Sequence, residues 1–159
     1  MKSRARHEGR VLAVQFLFQR DFNRDEIAEA LERFWEGRHA GPGVRRFAGE
    51  LITGVEEFRP DLDDRIRELA ENWDIRRMGA VDRTILRLAL FEILHRDDIP
   101  PVVSINEAVE LAKEFSGVES GRFVNGILDR SVRELDRPIR CAKPDPRFVR
   151  KTRAPGETP

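Results

Sequence analysis

The amino-acid sequence predicts an all-α protein of six to seven helices, arranged as two three-helix bundles that share a core. Every long apolar segment repeats with the helical period of about 3.6 residues. No segment alternates with a period of two over the length of a strand, so no sheet is expected. Residues 4–19 and 79–95 are apolar on nearly every side, which is typical of a central, buried helix. One such helix in each half of the chain predicts one bundle around each of them.

The first half of the chain contains three or four predicted helices. Residues 4–19 form the first, and residues 24–37 form the second, with Asn23 as its N-cap. After the turn sequence HAGPG, an apolar helical pattern covers residues 44–73 and includes Pro60. Because proline lacks a backbone donor and obstructs the preceding turn, this segment is either one helix kinked at Pro60 or two helices end to end.

The second half contains three predicted helices. The central one, residues 79–95, stops at the sequence DDIPP. The next is expected to begin with a capping box, in which Ser104 caps the amide of Glu107 and the Glu107 side chain reaches back. Gly117 is expected to end that helix in a left-handed conformation. The last helix covers about residues 120–135.

The helical pattern indicates one domain over residues 1–136. Residues 137–159 are basic and rich in proline, so we expect a largely disordered tail there. A chain of 159 residues buries enough apolar surface to fold without a disulfide or a metal. Cys141 is the only cysteine, which excludes an internal disulfide and agrees with a cytoplasmic location.

Several classes of function are disfavoured by what the sequence lacks. No apolar run approaches the roughly 20 residues that span a bilayer, and VLAVQFLF is followed by charged residues rather than by a signal-peptide cleavage site. The three histidines, His7, His39 and His95, lie in different segments without the spacing of metal ligands. No nucleophile–base pair or glycine-rich phosphate loop is recognisable, so we expect neither an enzyme nor a cofactor.

Cations gather at the front of a chain whose formal net charge is zero. Lys2, Arg4, Arg6 and Arg10 run directly into the first apolar helix, and Arg6 and Arg10 share one helical face. Cations at a helix N-terminus oppose the helix dipole. An RNA phosphate backbone would relieve that repulsion. Ordinary solubilising charge is the alternative, and it stays open.

Two further segments are candidates for binding. In ESGRFVNG, Arg122 can meet a phosphate and Phe123 can stack on a base, although Phe123 also lies on the apolar row of its helix. In VDRTILR, Asp82 and Arg83 stand beside a buried row, where a salt-bridged surface is the simpler interpretation.

Three segments together resemble the NusB family of bacterial transcription antitermination factors: RHEGRVLAVQFLF, VDRTILRLALFEI and SINEAVELAKEFSGVESGRFVNGILD. The resemblance runs from about residue 4 to residue 135, with the helices in the same order. It implies an all-α fold of two three-helix bundles and binding of boxA, a single-stranded RNA element of ribosomal RNA leaders. It also implies a heterodimer with NusE, a small-subunit ribosomal protein, in an antitermination complex on RNA polymerase.

The resemblance also implies roles for particular residues. The RNA-contacting residues would be Lys2, Arg4, Arg6, His7, Arg10, Glu119, Arg122 and Phe123. The partner-contacting residues would be Phe18, Asp82 and Arg83. The arginine run is less dense than is usual in the family, because His7, Glu8 and Gly9 interrupt it, and weaker RNA binding is one expected consequence.

Two alternative functions stay open at this point. A helical module of the same kind occurs at the front of certain RNA cytosine methyltransferases, where it accompanies a catalytic domain. A self-associating scaffold, with a homodimer over the partner surface, is the second alternative.

Overall fold

The computed structural model describes residues 2–71 and 78–135, without the side chain of Lys2. These residues form six α-helices and no strand, which confirms the predicted all-α class. The helices are α1 (Lys2–Arg20), α2 (Ile27–Trp35), α3 (Pro42–Leu69), α4 (Ala80–His95), α5 (Pro101–Phe115) and α6 (Val118–Arg133). The predicted tail, residues 137–159, lies outside the described residues, and so does Cys141.

Two groups of three helices surround one core, as predicted. The first group is α1 to α3 and the second is α4 to α6. Helix α4 packs against α1 and α3 of the first group and also against α5 and α6 of its own. All ten consecutive residues from Thr84 to Ile93 are buried, because helices cover α4 on every side. Of the two helices that are apolar nearly all round, α4 is therefore the central one.

Helix α3 is a single helix that continues through Pro60. The alternative of two helices end to end is therefore wrong. Pro42 and Pro101 stand in the first turns of α3 and α5, where the missing backbone donor removes no helical hydrogen bond.

The structure corrects two predicted helix starts. Helix α2 begins at Ile27 with Glu26 as its N-cap, while the Asn23 side chain accepts a hydrogen bond from the Asp25 amide at 3.0 Å. Helix α5 begins at Pro101, so Ser104 is already inside the helix and the predicted capping box is wrong. The Ser104 hydroxyl is buried and bonds elsewhere, as described below.

Two glycines are required by the backbone or by packing. Gly117 has φ +112°, a region that favours glycine, and its amide donates to the carbonyls of Ala112 and Lys113 at the end of α5. Gly54 faces the ring of Phe91, which a Cβ atom at this position would overlap. Helices α3 and α4 therefore approach closely at Gly54.

Candidate nucleic-acid interface

The front of α1, residues 2–10, is called the arginine arm here, and three of its side chains contact acidic residues. Arg6 donates to Asp98 Oδ2 at 2.9 Å, and its guanidinium lies 5.1 Å from the centre of the Phe47 ring. His7 Nδ1 lies 2.7 Å from Glu107 Oε2. The arm is therefore held against α3, α5 and the turn between α4 and α5.

Arg10 lies inside the protein and not on the surface where the sequence predicted it. It is 2% exposed, and Glu92, its partner on α4, is 1% exposed. Arg10 Nη2 donates to Glu92 Oε1 at 2.7 Å, and Nε donates to Oε2 at 2.9 Å. The Ser104 hydroxyl donates to the same Oε1 at 3.0 Å. This network joins α1, α4 and α5, and a buried charge of this kind is stable only while it is paired.

Arg4 is the remaining cation of the arm whose side chain is described. It is exposed and makes no ion pair with any residue that the structure describes. The side chain of Lys2 lies outside the described residues. The arm therefore offers less free positive charge than its four cations suggest.

A groove of about 550 Å³ lies between the start of α4 and the start of α6, and we call it the α4–α6 groove. It brings together residues that the sequence placed in two separate candidate segments. Its walls are Met78, Gly79, Asp82, Glu119, Ser120, Arg122 and Phe123.

Asp82 places a carboxylate with one unpaired oxygen at the groove. Its Oδ2 accepts a hydrogen bond from the Ser120 hydroxyl at 3.3 Å. Its Oδ1 is buried and accepts none from any described residue. Burial raises the pKa of Asp82 and the bond from Ser120 lowers it, with a net upward shift. A buried acceptor without a donor is unfavourable.

Arg122 and Phe123 present a cation and an aromatic ring at the same groove. Arg122 is 74% exposed and pairs with Glu119, which is 88% exposed, at 3.1 Å. Exposed pairs contribute little, roughly 0–1 kcal/mol, so Arg122 can exchange this partner readily. Phe123 packs against the core and also lines the groove, so its core contact is confirmed and its stacking on a base stays a prediction.

The arginine arm and the groove are neighbours across α5. His7 Nε2 lies 4.0 Å from Glu114 near the end of α5, and α6 begins four residues later. At the same end of α5, a Cβ on Gly121 of α6 would lie 2.9 Å from Lys113 Cγ. The two predicted RNA segments are thus adjacent in the fold.

The predicted partner residues fall on two different sites. Asp82 lines the α4–α6 groove, whereas Arg83 donates to Asp21 Oδ2 at 3.3 Å beyond the end of α1. Phe18 is partly buried and packs edge-on against Phe22, with ring centres 5.3 Å apart. Arg83 also donates to the carbonyl of Met78, a wall of the groove, at 3.4 Å, so it lies between the groove and the end of α1, where Phe18 is found.

Comparison with known proteins decides the family. The sequence pattern of the NusB family matches residues 7–133 of this chain. The chain belongs to the NusB family. The transcription antitermination protein NusB of Myxococcus xanthus is 45% identical over 138 residues, 84% of this chain and 99% of the relative. The NusB protein of Geobacter sulfurreducens is 46% identical and covers 79% of this chain and 91% of its own length.

Solved structures of NusB proteins have the same architecture. NusB of T. maritima superposes with a TM-score of 0.73 at 38% identity, over 81% of this chain and 91% of that one. A structure of the antitermination factors NusB and NusE in complex with double-stranded RNA gives a TM-score of 0.76 at 23% identity. That match covers 83% of this chain and 98% of the other, and it concerns the fold alone.

Sequence reasoning missed two features of this NusB-family structure. Ser120 orients Asp82, but the two residues are 38 positions apart and no spacing rule connects them. Glu92 pairs with Arg10 across 82 positions, a separation that no helical spacing rule covers. Among the described residues, no group of histidine, cysteine, aspartate and glutamate is arranged to hold a metal ion. No described helix is long and apolar enough to cross a membrane.

Proposed function

We propose that this protein is a transcription antitermination factor that binds single-stranded boxA RNA together with NusE and supports ribosomal RNA transcription. Its relatives in M. xanthus and G. sulfurreducens are named transcription antitermination proteins. The structure of NusB and NusE with double-stranded RNA has the same fold. The relatives' names describe a role in transcription and name no reaction. The proposed role is one of binding in the cytoplasm, and it requires neither catalysis nor a cofactor.

The observation that carries the RNA-binding role is the composition of the α4–α6 groove. Phe123 offers a ring on which a base can stack. Arg122 stands next to it and is exposed, so it can meet the phosphate of the same nucleotide. Asp82 Oδ1 is buried and lacks a donor among the described residues, so an N–H group of a base or of the partner protein that reaches it would satisfy it. A cation, an aromatic ring and an unpaired acceptor in one groove are the groups that bind an unpaired nucleotide.

The arginine arm extends this surface, and its residues contribute unequally to RNA binding. Arg4 and Lys2 attract the RNA backbone as mobile charges. Arg6 contributes less, because Asp98 already holds it. His7 lies where RNA passes from the arm to the groove, beside Glu107 and Glu114 on α5. Arg10 supports binding indirectly, because its ion pair with Glu92 holds the arm in place against α4 and α5.

Binding of labelled boxA RNA tests the proposal directly. The affinity is measured by fluorescence anisotropy at several salt concentrations, with and without NusE, beside a scrambled RNA of equal length. We expect the affinity for boxA to fall with salt by roughly 0.7 in the log–log slope for each phosphate contact. We expect NusE to tighten it. Equal affinity for the scrambled RNA with NusE present, or no dependence on salt, would show that the proposal is wrong.

A matched pair of substitutions on α6 locates the binding surface. Arg122 and Arg133 are equally exposed and each pairs with an acidic residue of the same helix. We expect Arg122→Ala to weaken boxA binding several-fold and to lower the salt slope by roughly 0.7. Arg133→Ala, at the other end of α6, is expected to bind as the unaltered protein does.

A further inference from the structure

A groove of about 620 Å³ lies between the middle of α3 and the end of α4, and we call it the α3–α4 groove. Three aromatic rings line it. The His95 ring lies flat on Phe58, with ring centres 3.9 Å apart and planes 13° apart, and Phe91 packs beside both. The other walls are Gly49, Glu50, Thr53, Gly54, Glu57 and Arg96.

Small residues keep the α3 wall of this groove open. A Cβ atom on Gly49 would meet no atom within 4 Å. Thr53, one turn along α3, is exposed, and Gly54 lets the Phe91 ring reach the α3 backbone. The exposed His95 closes the α4 wall. The groove therefore has room for an apolar side chain of another segment beside an aromatic surface.

Carboxylates give the α3 side of the groove a negative charge. Glu57 and Asp61 are one turn apart and exposed, and neither makes an ion pair with any residue in the described part of the chain. Glu50 is paired, because Arg96 donates to its Oε2 at 2.7 Å. The two free carboxylates repel a phosphate chain and attract cations. The groove therefore suits an apolar side chain that is flanked by arginines or lysines.

The end of α6 lies close to this groove. Arg65 of α3 pairs with Glu134, the C-cap residue of α6. Arg65 follows Phe58 by seven residues, which is about two helical turns or 10 Å along the same face of α3. The chain that continues after Leu135 therefore starts about two turns of α3 away from the aromatic rings.

The sequence after Leu135 contains the complementary groups. In residues 137–159, seven lysines and arginines stand against two carboxylates. The densest part is RFVRKTR, residues 147–153, in which Phe148 and Val149 stand between arginines. The residues from 136 to 147 can span up to about 40 Å when extended, so this segment can reach the groove.

We propose that residues 147–153 of this chain occupy the α3–α4 groove, with Phe148 packed on the rings of His95 and Phe58. The neighbouring cations then pair with Glu57 and Asp61. Aromatic rings attract each other beyond the apolar area that they bury. The covalent link to α6 raises the local concentration of the segment, so that contacts of modest strength are sufficient. This inference does not depend on binding of RNA or of NusE.

Paramagnetic relaxation enhancement in the whole chain tests the inference. Cys141 is the only cysteine, so Cys141→Ser together with Ala154→Cys places a single nitroxide label directly after the segment. Amide signals of isotope-labelled protein are compared with the label oxidised and reduced. Glu57→Lys removes the proposed partner of the cations. Glu110→Lys is the matched control, because it reverses an exposed glutamate on α5.

We expect the label to cause a strong loss of the amide signals of Gly49, Thr53 and Glu57 and almost no loss on α5. Glu57→Lys should reduce the loss several-fold, because a cation then faces cations. High salt should reduce it as well. Glu110→Lys should leave it unchanged. Arg150→Glu changes a residue after the last helix and should act as Glu57→Lys does, so the test does not depend on one variant.

Three outcomes would overturn the inference. The first is no loss of signal along α3, or an equal loss along α3 and α5. The second is an equal effect of Glu57→Lys and Glu110→Lys, which would mean that the segment responds only to net charge. The third comes from a mixture of isotope-labelled chains without nitroxide and unlabelled chains with nitroxide. If the same loss appears in that mixture, the segment in the groove belongs to a second copy of the chain.

Discussion

The arginine arm and the α4–α6 groove show opposite relations between charge in the sequence and charge on the surface. The arm has four cations within ten residues, but Arg6 and Arg10 are bound to acidic groups. The groove has one arginine, yet Arg122 is mostly exposed and its only ion pair among the described residues is with Glu119, which is also exposed. The local density of cations is therefore a poor guide to the charge that a ligand meets.

The reason for the difference is distance along the chain. The acidic partners of Arg6, His7 and Arg10 lie 92, 100 and 82 residues away. They belong to α4, to α5 and to the turn between them, which only the tertiary structure brings to the arm. Arg122, in contrast, has its partner three residues away on an exposed helix face.

The largest expected effect is on stability, and it distinguishes the buried Arg10 from the exposed cations of the arginine arm. We expect Arg10→Ala to lower the free energy of unfolding by about 3–5 kcal/mol, because Glu92 is left buried and unpaired. Urea-induced unfolding followed by circular dichroism measures this. Arg4→Ala is the control and should stay within about 0.5 kcal/mol, as for an exposed residue. Equal stability of the two variants would mean that Arg10 is not held as described.

A second prediction tests the groove without damaging the core. Phe123→Leu keeps an apolar side chain against the core but removes the ring. We expect a loss of about 1–3 kcal/mol in the free energy of boxA binding, the usual contribution of a stacked base. The free energy of unfolding should fall by less than about 1.5 kcal/mol, as for similar core substitutions. If boxA affinity is unchanged, no base stacks on Phe123.

The helices were largely predictable from the sequence, because a helix with a buried face repeats its apolar residues about every 3.6 positions, and this repeat is visible in one sequence. Residues 84–93 of α4 are buried throughout, and the sequence shows this as a helix that is apolar nearly all round. The helix starts were less predictable. Ser104 has the spacing of a capping box with Glu107, but its hydroxyl serves the buried pair of Glu92 and Arg10 instead. The contact with a residue on another helix therefore decided where the Ser104 hydroxyl bonds, and the local capping pattern did not.

The candidate site was predictable only in part. Arg122 and Phe123 are neighbours in sequence, so their common place on α6 followed directly. The meeting of Asp82 with Ser120 depends on how α4 packs on α6, which no local pattern encodes. The burial of Arg10 was not predicted, because an arginine beside other arginines indicates a surface and Glu92 lies on another helix.

A third substitution tests whether the ion pair of Arg6 limits the RNA affinity of the arginine arm. Asp98→Asn removes the charge that holds Arg6, while Arg96, which Asp98 also binds, keeps its pair with Glu50. We expect boxA RNA to bind about two- to threefold more tightly, with the salt slope steeper by up to roughly 0.7 because one more phosphate contact forms. Anisotropy titrations at neutral pH measure both quantities. Unchanged or weaker binding would mean that Arg6 does not reach the RNA even when it is released.

The smallest expected effect concerns acid stability. Hydrogen bonds from Arg96 and then from Arg6 lower the pKa of Asp98 from 3.8 to about 2. A carboxyl whose pKa is lowered in the folded state stabilises the protein above its unfolded pKa and loses that contribution as pH falls. The contribution should therefore disappear between about pH 4 and pH 2, and it should stay below about 1 kcal/mol because Asp98 is half exposed. Unfolding curves of the unaltered protein and of Asp98→Asn should converge over that range. A gap that stays constant down to pH 2 would contradict this pairing.

The most direct test of the division between arm and groove replaces the buried ion pair with apolar side chains. In the double variant Arg10→Met/Glu92→Leu the internal packing is kept while the charge of Arg10 is removed, an exchange that proteins often tolerate. Its boxA affinity is measured across a salt series beside that of the unaltered protein. We expect the same affinity and the same salt slope for both. A slope lower by roughly 0.7, together with weaker binding, would show that Arg10 contacts a phosphate and that its placement inside the protein is wrong.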